Sequence, residues 1–250
     1  MAQIDKVRIL VLGDSGVGKT SLVHLICHNE PILNPYWTIG AGVEVKLHEY
    51  KAGMPAEKTY FVELWDIGGW SAHKNSRAVF YNPVHGLILC HDLTNKKSQQ
   101  NLKKWLTEIL NRDGKNIKDP NDLDGKEDDV LWAEQYDKSD TDFDEEGDDI
   151  YEYDPEQYAG AAIPMLVIGT KLDLIQASHV TTPSRGFNIA EECGADEIKL
   201  DCTCTKHLAP GTSNSVKLSR FFDKVIERKY YHNRDVTQVR FSTYTQKSYR

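Results

Sequence analysis

The stretch Gly13-Asp14-Ser15-Gly16-Val17-Gly18-Lys19-Thr20 constrains this chain more than any other. It fits G-x-x-x-x-G-K-S/T and stands between an apolar run, Val7–Leu12, and a segment, Lys19–His28, with Leu22, Val23 and Ile26 at helical spacing. A strand that feeds a glycine-rich turn and then a helix is a phosphate cradle. The glycines let successive N–H groups converge on phosphate oxygens, and the helix start adds its partial positive charge. Ser15, Gly16, Val17, Gly18 and Ser21 then belong to the cradle. Lys19 has the reach for the β- and γ-phosphates, and the Thr20 hydroxyl is a Mg²⁺ ligand by type.

The rest of the chain repeats the alternation of strand and helix. Val43–Tyr50 and Lys58–Trp65 alternate in polarity across the turn Lys51-Ala52-Gly53-Met54-Pro55 and predict an antiparallel hairpin. Gly86–His91 and Pro164–Gly169 read as buried strands, and Glu197–Leu200 as a short one. Lys97–Leu110 is amphipathic through Leu102, Trp105, Leu106, Ile109 and Leu110; a helix is expected around Ser184–Glu192, and a last one over Ser213–Tyr230. The pattern predicts an α/β fold: a doubly wound, mainly parallel six-stranded sheet with helices on both faces.

One stretch breaks the rhythm. Asp119–Glu156 holds eighteen Asp/Glu against Lys126 and Lys138, a local charge of −16, so the rest of this −8 chain carries +8. With few aliphatics it cannot bury enough area to offset its ordering entropy. The expected organisation is a domain over 1–230, interrupted at about 113–162 by a disordered acidic insert, and a basic tail over 231–250. The insert reads either as a solvated spacer or as a partner-binding segment. The total charge supports no nucleic-acid partner, and the tail is too short to do so. No run reaches the ~18–20 apolar residues of a membrane span, and the N-terminus lacks a secretory pattern. Five cysteines, an odd number, predict free thiols in a reducing compartment. Cys202-Thr203-Cys204 is a weak metal candidate, with no second Cys or His pair at ligand spacing.

Two further motifs sit at strand ends, where α/β sheets bind ligands. Asp66-Ile67-Gly68-Gly69 offers a carboxylate to hold Mg²⁺ through water and a glycine N–H for a γ-phosphate. Gly169-Thr170-Lys171-Leu172-Asp173 offers a carboxylate that accepts from both N1–H and N2–H₂ of guanine, a donor pair adenine lacks; the Lys171 stem can lie along the purine. With these three motifs in order, the chain resembles the Ras superfamily of small GTPases and, within it, the Rab branch. Asp92-Leu93-Thr94-Asn95 with Ser98, Asn101 and Trp105 is similar to the Rab pattern, and Pro35-Tyr36-Trp37-Thr38-Ile39-Gly40 to the end of switch I. The resemblance implies GTP and GDP as ligands, Mg²⁺ on Thr20, Thr38 and, through water, Asp66, and Lys19, Thr38 and Gly69 as the hydrolytic groups. It places Ser15–Ser21, Thr170, Lys171, Asp173, Cys202 and Thr203 around the nucleotide, with Cys202-Thr203-Cys204 in the guanine O6 loop; Cys202 reads equally as a buried strand-end thiol.

The departures are specific. Trp70 stands where the family has a glutamine that orients the attacking water; indole has one donor and no acceptor, which predicts slow intrinsic hydrolysis. Thr170 replaces an asparagine and Pro31 falls near an aromatic base-stacking position, which predicts weaker guanine binding and faster exchange. The tail lacks the cysteines that carry prenyl groups, so stable membrane residence is expected only through partners, in the cytoplasm or peripherally on endomembranes. Tyr36, Trp37, Tyr60 and Trp70 read either as an exposed switch face or as core and hinge packing. Resemblance to a divergent Rab-like member implies a homodimer through that face, while effectors and regulators stay unassigned. Two functions follow: a guanine-nucleotide switch in trafficking or signalling with weak hydrolysis, or a nucleotide-stabilised interaction scaffold.

Overall fold

The computed structural model describes residues 4–110, 163–178 and 188–231 of the chain. One sheet contains β1 (Lys6–Leu12), β2 (Ala41–Tyr50), β3 (Lys58–Ile67), β4 (Gly86–Asp92), β5 (Met165–Thr170) and β6 (Asp196–Lys199). Its order is β2-β3-β1-β4-β5-β6, with β2 antiparallel to β3 and every other pair parallel. The helices are α1 (Lys19–His28), α2 (Lys74–Arg77), α3 (Lys96–Leu110), α4 (Leu172–Ser178), α5 (Ile189–Glu192) and α6 (Ser213–Tyr230). The doubly wound, mainly parallel sheet is the one the alternation predicts.

Both faces of the sheet are covered, which is why Ile9–Leu12 of β1 and Leu87–Cys90 of β4 are apolar without interruption. Val7, Ile9 and Val11 face α1 and α6, where Leu22, Val23, Ile26, Phe221, Phe222, Val225 and Ile226 meet them. Leu10 and Leu12 face the other way, toward Leu102, Trp105, Leu106 and Ile109 of α3 and Ile189 and Ala190 of α5. This period-two division is what a strand imposes, and each large side chain so buried contributes roughly 1.5–3 kcal/mol. Helix α6 starts at Thr212, whose hydroxyl accepts from the Ser215 N–H at 3.2 Å.

Strand limits shift by one or two residues from expectation. The helix expected at Ser184–Glu192 is described only from Ile189, and neither α2 nor α4 is anticipated. At four and seven residues they carry too few turns for a periodic signal. Tyr60 is 1% exposed, which places it in the core and removes it from the switch face. It packs with Tyr50, Tyr230 and Tyr231 where β1 begins, and its hydroxyl lies 3.0 Å from that of Tyr231. The acidic stretch over 113–162 and the tail beyond Tyr231 lie outside the described residues. Among the described residues no helix is long and apolar enough to cross a membrane.

Candidate functional site

The loop Gly13–Thr20 sits at the C-terminal end of β1 and is shaped by its glycines. A Cβ on Gly13 would stand 2.0 Å from the Cys90 carbonyl oxygen, so only glycine lets the loop cross β4 so closely. Gly18 (φ 92°) occupies the cap of α1 with no side-chain hydrogen bond there, which leaves the first amides of α1 without a side-chain acceptor at their cap. Lys19, 6% exposed, donates to the carbonyls of Gly13 (2.8 Å) and Asp14 (2.9 Å). Burial pulls its pKa below the ordinary lysine value, opposed by the nearby Asp66 charge. A buried ammonium clamped over its own loop is poised to meet an anion.

Two helix side chains hold this loop from behind. Asn101 Nδ2 donates to Asp14 Oδ2 at 2.8 Å and Trp105 Nε1 to Asp14 Oδ1 at 2.9 Å, so both carboxylate oxygens of Asp14 are tied to α3. Their i, i+4 spacing on one helix face is the signal a sequence offers; it does not name the partner.

Three separate segments then meet at one point. Thr20 Oγ1 and Thr38 Oγ1 both donate to Asp66 Oδ2, at 2.6 and 2.7 Å, and stand 3.0 Å from each other. The second carboxylate oxygen, Asp66 Oδ1, is sealed from solvent with no hydrogen-bond donor among the described residues. Two hydroxyls and a carboxylate with an unpartnered oxygen are a hard-oxygen set that fits Mg²⁺. Beside it, Gly69 lies on the phosphate loop: a Cβ there would come within 2.4 Å of the Ser15 amide nitrogen. Gly68 donates to the Gly40 carbonyl at 2.8 Å, which joins the D-x-x-G segment to the end of switch I. Trp70, next in the chain, is 53% exposed and touches His73 edge-on, with ring centroids 4.9 Å apart. Tyr36 and Trp37 are each 75% exposed.

The base end is assembled at β5 and the loop after β6. Lys171 adopts a left-handed conformation (φ 59°) and its ammonium lies 2.6 Å from Asp92 Oδ2. Burial raises the Asp92 pKa, but the hydrogen bonds from Lys171 and Thr94 outweigh it and hold the carboxyl below the ordinary range. Asp173 is exposed in the first turn of α4. Cys202 is half-buried against the core, and its thiol is pushed up to about 12 by burial, then by Asp201 and Asp173. Lys171, Asp173 and Cys202 are therefore neighbours, with the Cys202 thiol half-buried past the end of β6. Thr203 is exposed beside them, its hydroxyl and N–H bonded to Asp201. Thr170 lies behind the phosphate loop. Fully buried, its Oγ1 reaches the Val17 carbonyl at 2.6 Å and the His91 carbonyl at 3.0 Å. The hydroxyl thus ties β5, β4 and the phosphate loop together.

Comparison with known proteins agrees with this geometry. Residues 8–118 match the model of the Roc family, the Ras of Complex domain of DAPkinase. Over 235 residues the chain is 52% identical to Rab-like protein 3 of Xenopus tropicalis, covering 92% of this chain and 88% of that one. To Rab-like protein 3 of Mus musculus it is 51% identical over 237 residues (92% and 89%), and to that of Homo sapiens 50% over 237 (92% and 89%). The chain belongs to the Rab-like protein 3 family of Ras-superfamily small GTPases.

Proposed function

We propose that this GTP-binding protein is a Mg²⁺-dependent switch in intracellular trafficking or signalling whose own hydrolysis of GTP is slow. The observation that carries the reading is the meeting of Thr20, Thr38 and Asp66, from the phosphate loop, switch I and the end of β3, on one point. Thr20 and Thr38 would hold the cation directly and Asp66 through water, and the ion would neutralise charge on the β- and γ-phosphates. The amides of Gly13–Thr20 receive the phosphates, and the Lys19 ammonium exchanges its two loop carbonyls for phosphate oxygens. Gly69 presents its N–H toward the γ-phosphate, and the Asp173 carboxylate selects guanine. GTP and water give GDP and phosphate when a water is held in line. Trp70 has no acceptor to hold it, and its half-exposed ring faces outward rather than closing the site.

The exposed rings of Tyr36, Trp37 and Trp70 support a homodimer or effector contact through the switch face. Membrane residence, in this reading, comes from partners of a cytoplasmic protein. The buried Lys19 also favours a second reading, in which nucleotide chiefly stabilises an interaction scaffold by RT ln(1 + [L]/Kd). The deciding experiment is chromatography of nucleotide released from the purified chain, with thermal shifts on adding Mg²⁺ with GTP, GDP or ATP. Guanine nucleotide and a GTP-selective shift are expected. Protein that comes away empty and shows no shift ends the proposal. A Lys19→Ala chain that folds yet loses GTP-dependent partner binding supports the switch, and one that fails to fold supports the scaffold.

A further inference from the structure

Outside the nucleotide site, α1 and the edge strand β2 bring together three side chains of metal-ligating type. His24 and His28 are one turn apart on α1, with ring centroids at 4.5 Å. Glu44, on β2, faces both: His24 Nδ1 is 3.6 Å from Glu44 Oε1, and His28 Nε2 is 2.9 Å from Glu44 Oε2. One donor atom from each residue lies within 4.8 Å of the others. In the sequence the two histidines stand as H-x-x-x-H, but their third partner, Glu44, is sixteen residues beyond His28.

We propose that His24, His28 and Glu44 form a binding site for a divalent transition cation of the zinc class. Two imidazoles at i, i+4 and a carboxylate are a three-donor set that suits zinc and leaves a fourth position to water. An independent observation points to a ligand there. Glu44 Oε2 is sealed from solvent, and no donor among the described residues meets it at full hydrogen-bonding geometry, although His28 Nε2 lies 2.9 Å away and the Cys27 thiol adjoins the carboxylate. The neighbouring Lys46 ammonium is engaged by the Ile26 carbonyl at 2.9 Å. A cation centred between the three groups satisfies that oxygen. Its position in the last turn of α1 also places it at the negative end of the helix dipole. His28, with a side chain 52% exposed, gives an entry path from solvent. Zinc bonds of ~2.0–2.2 Å would require the three side chains to turn about the ion. Bound there, the ion clips α1, which carries the phosphate loop, to β2, which follows switch I.

A second cluster, Asp201, Cys204 and His207, competes for the assignment, but the Asp201 carboxylate already accepts from the Thr203 N–H and hydroxyl. The test therefore separates the two. The chain, loaded with Mg²⁺ and GDP and kept reduced, is titrated with zinc chloride against a chromophoric chelator. One equivalent bound is expected, weakened about tenfold or more in His24→Ala, His28→Gln and Glu44→Gln and unchanged in Cys204→Ser. His28→Gln alters a half-exposed side chain, so it keeps the test valid if His24→Ala misfolds. Cobalt(II) in place of zinc should give visible bands with no thiolate charge-transfer absorption. No uptake at micromolar zinc, uptake that survives His28→Gln and Glu44→Gln, loss in Cys204→Ser, or a thiolate–cobalt band would each overturn the site.

Discussion

Replacing Arg77 by methionine tests how the segment after Asp66-Ile67-Gly68-Gly69 is anchored to α3. The Arg77 side chain is 6% exposed and its partner Glu108, on α3, is 12% exposed. Nε donates to Glu108 Oε1 at 2.8 Å and Nη2 donates to Oε2. Nη1 reaches the Trp70 carbonyl at 3.2 Å, and the guanidinium lies 4.0 Å over the Trp105 ring. Taking away one member of a buried pair leaves the other charge uncompensated, a loss of about 3–5 kcal/mol. The Tyr81 hydroxyl still donates to Glu108 in the variant, which argues for the lower end, about 3 kcal/mol. For a chain of this size that is a fall in Tm of about 6–12 °C. Removing the second charge as well, in Arg77→Met with Glu108→Leu, should return the protein to within about 1 kcal/mol of the parent. A double-mutant cycle by urea unfolding at fixed GDP and Mg²⁺ measures all four proteins. A single variant that loses less than about 1 kcal/mol, or a double variant no better than it, would refute a buried, charge-compensating role.

Three further outcomes are expected. Trp70→Gln should speed single-turnover GTP hydrolysis by about tenfold or more, because an amide supplies the acceptor that indole lacks; an unchanged rate removes Trp70 as the cause of slow turnover. Asp173→Ala should weaken GTP by about ten- to a hundredfold with little change in ATP, measured by titration calorimetry, and equal losses for both nucleotides would exclude guanine recognition by this carboxylate. His85 gives a pH signature: burial, then Lys229 and Arg228, bring its pKa down to about 4, and its Nδ1 accepts the Arg8 N–H at 2.8 Å. The unfolded chain binds the proton first, so stability is full above about pH 6.5 and is lost as pH falls toward 4. The loss is about 1–2 kcal/mol after allowing for partial exposure. Urea unfolding at pH 7 and 5 should show the slope in the parent and a smaller one in His85→Gln; equal slopes would count against it.

What was legible in the sequence was what is local. The phosphate loop, D-x-x-G and Thr-Lys-Leu-Asp each lie within a few residues, and a strand end fixes where they point. The alternation of Val7, Ile9 and Val11 against Leu10 and Leu12 likewise encodes two faces without any knowledge of partners. The supports were hidden, because their partners are remote. Asp14 is held by side chains 87 and 91 positions away, and Thr170 reaches Val17 across 153. Residue type alone does not show that the Thr170 hydroxyl bridges two carbonyls from separate segments. Tyr60 stayed open between switch face and core for a different reason: strand alternation gives its face but not which end of the sheet it occupies. Register decides that, pairing it with His48, well down the hairpin from the Ala41–Ile67 end that adjoins the site.

The tyrosine cluster that closes the foot of the sheet has a consequence for signalling geometry. The Tyr230 hydroxyl bonds Lys6 at the first residue of β1, whereas the glycine-rich loop opens past its last, Leu12. A seven-residue strand separates those poles by about 20 Å. The chain also departs after Leu110 and returns at Ile163 on this lower pole, beside the start of β5. Leu110, Ile163 and Tyr231, where the described segments end, thus lie at the pole remote from the glycine-rich loop, and a protein seated on that pole alone makes no contact with Thr20, Thr38 or Asp66.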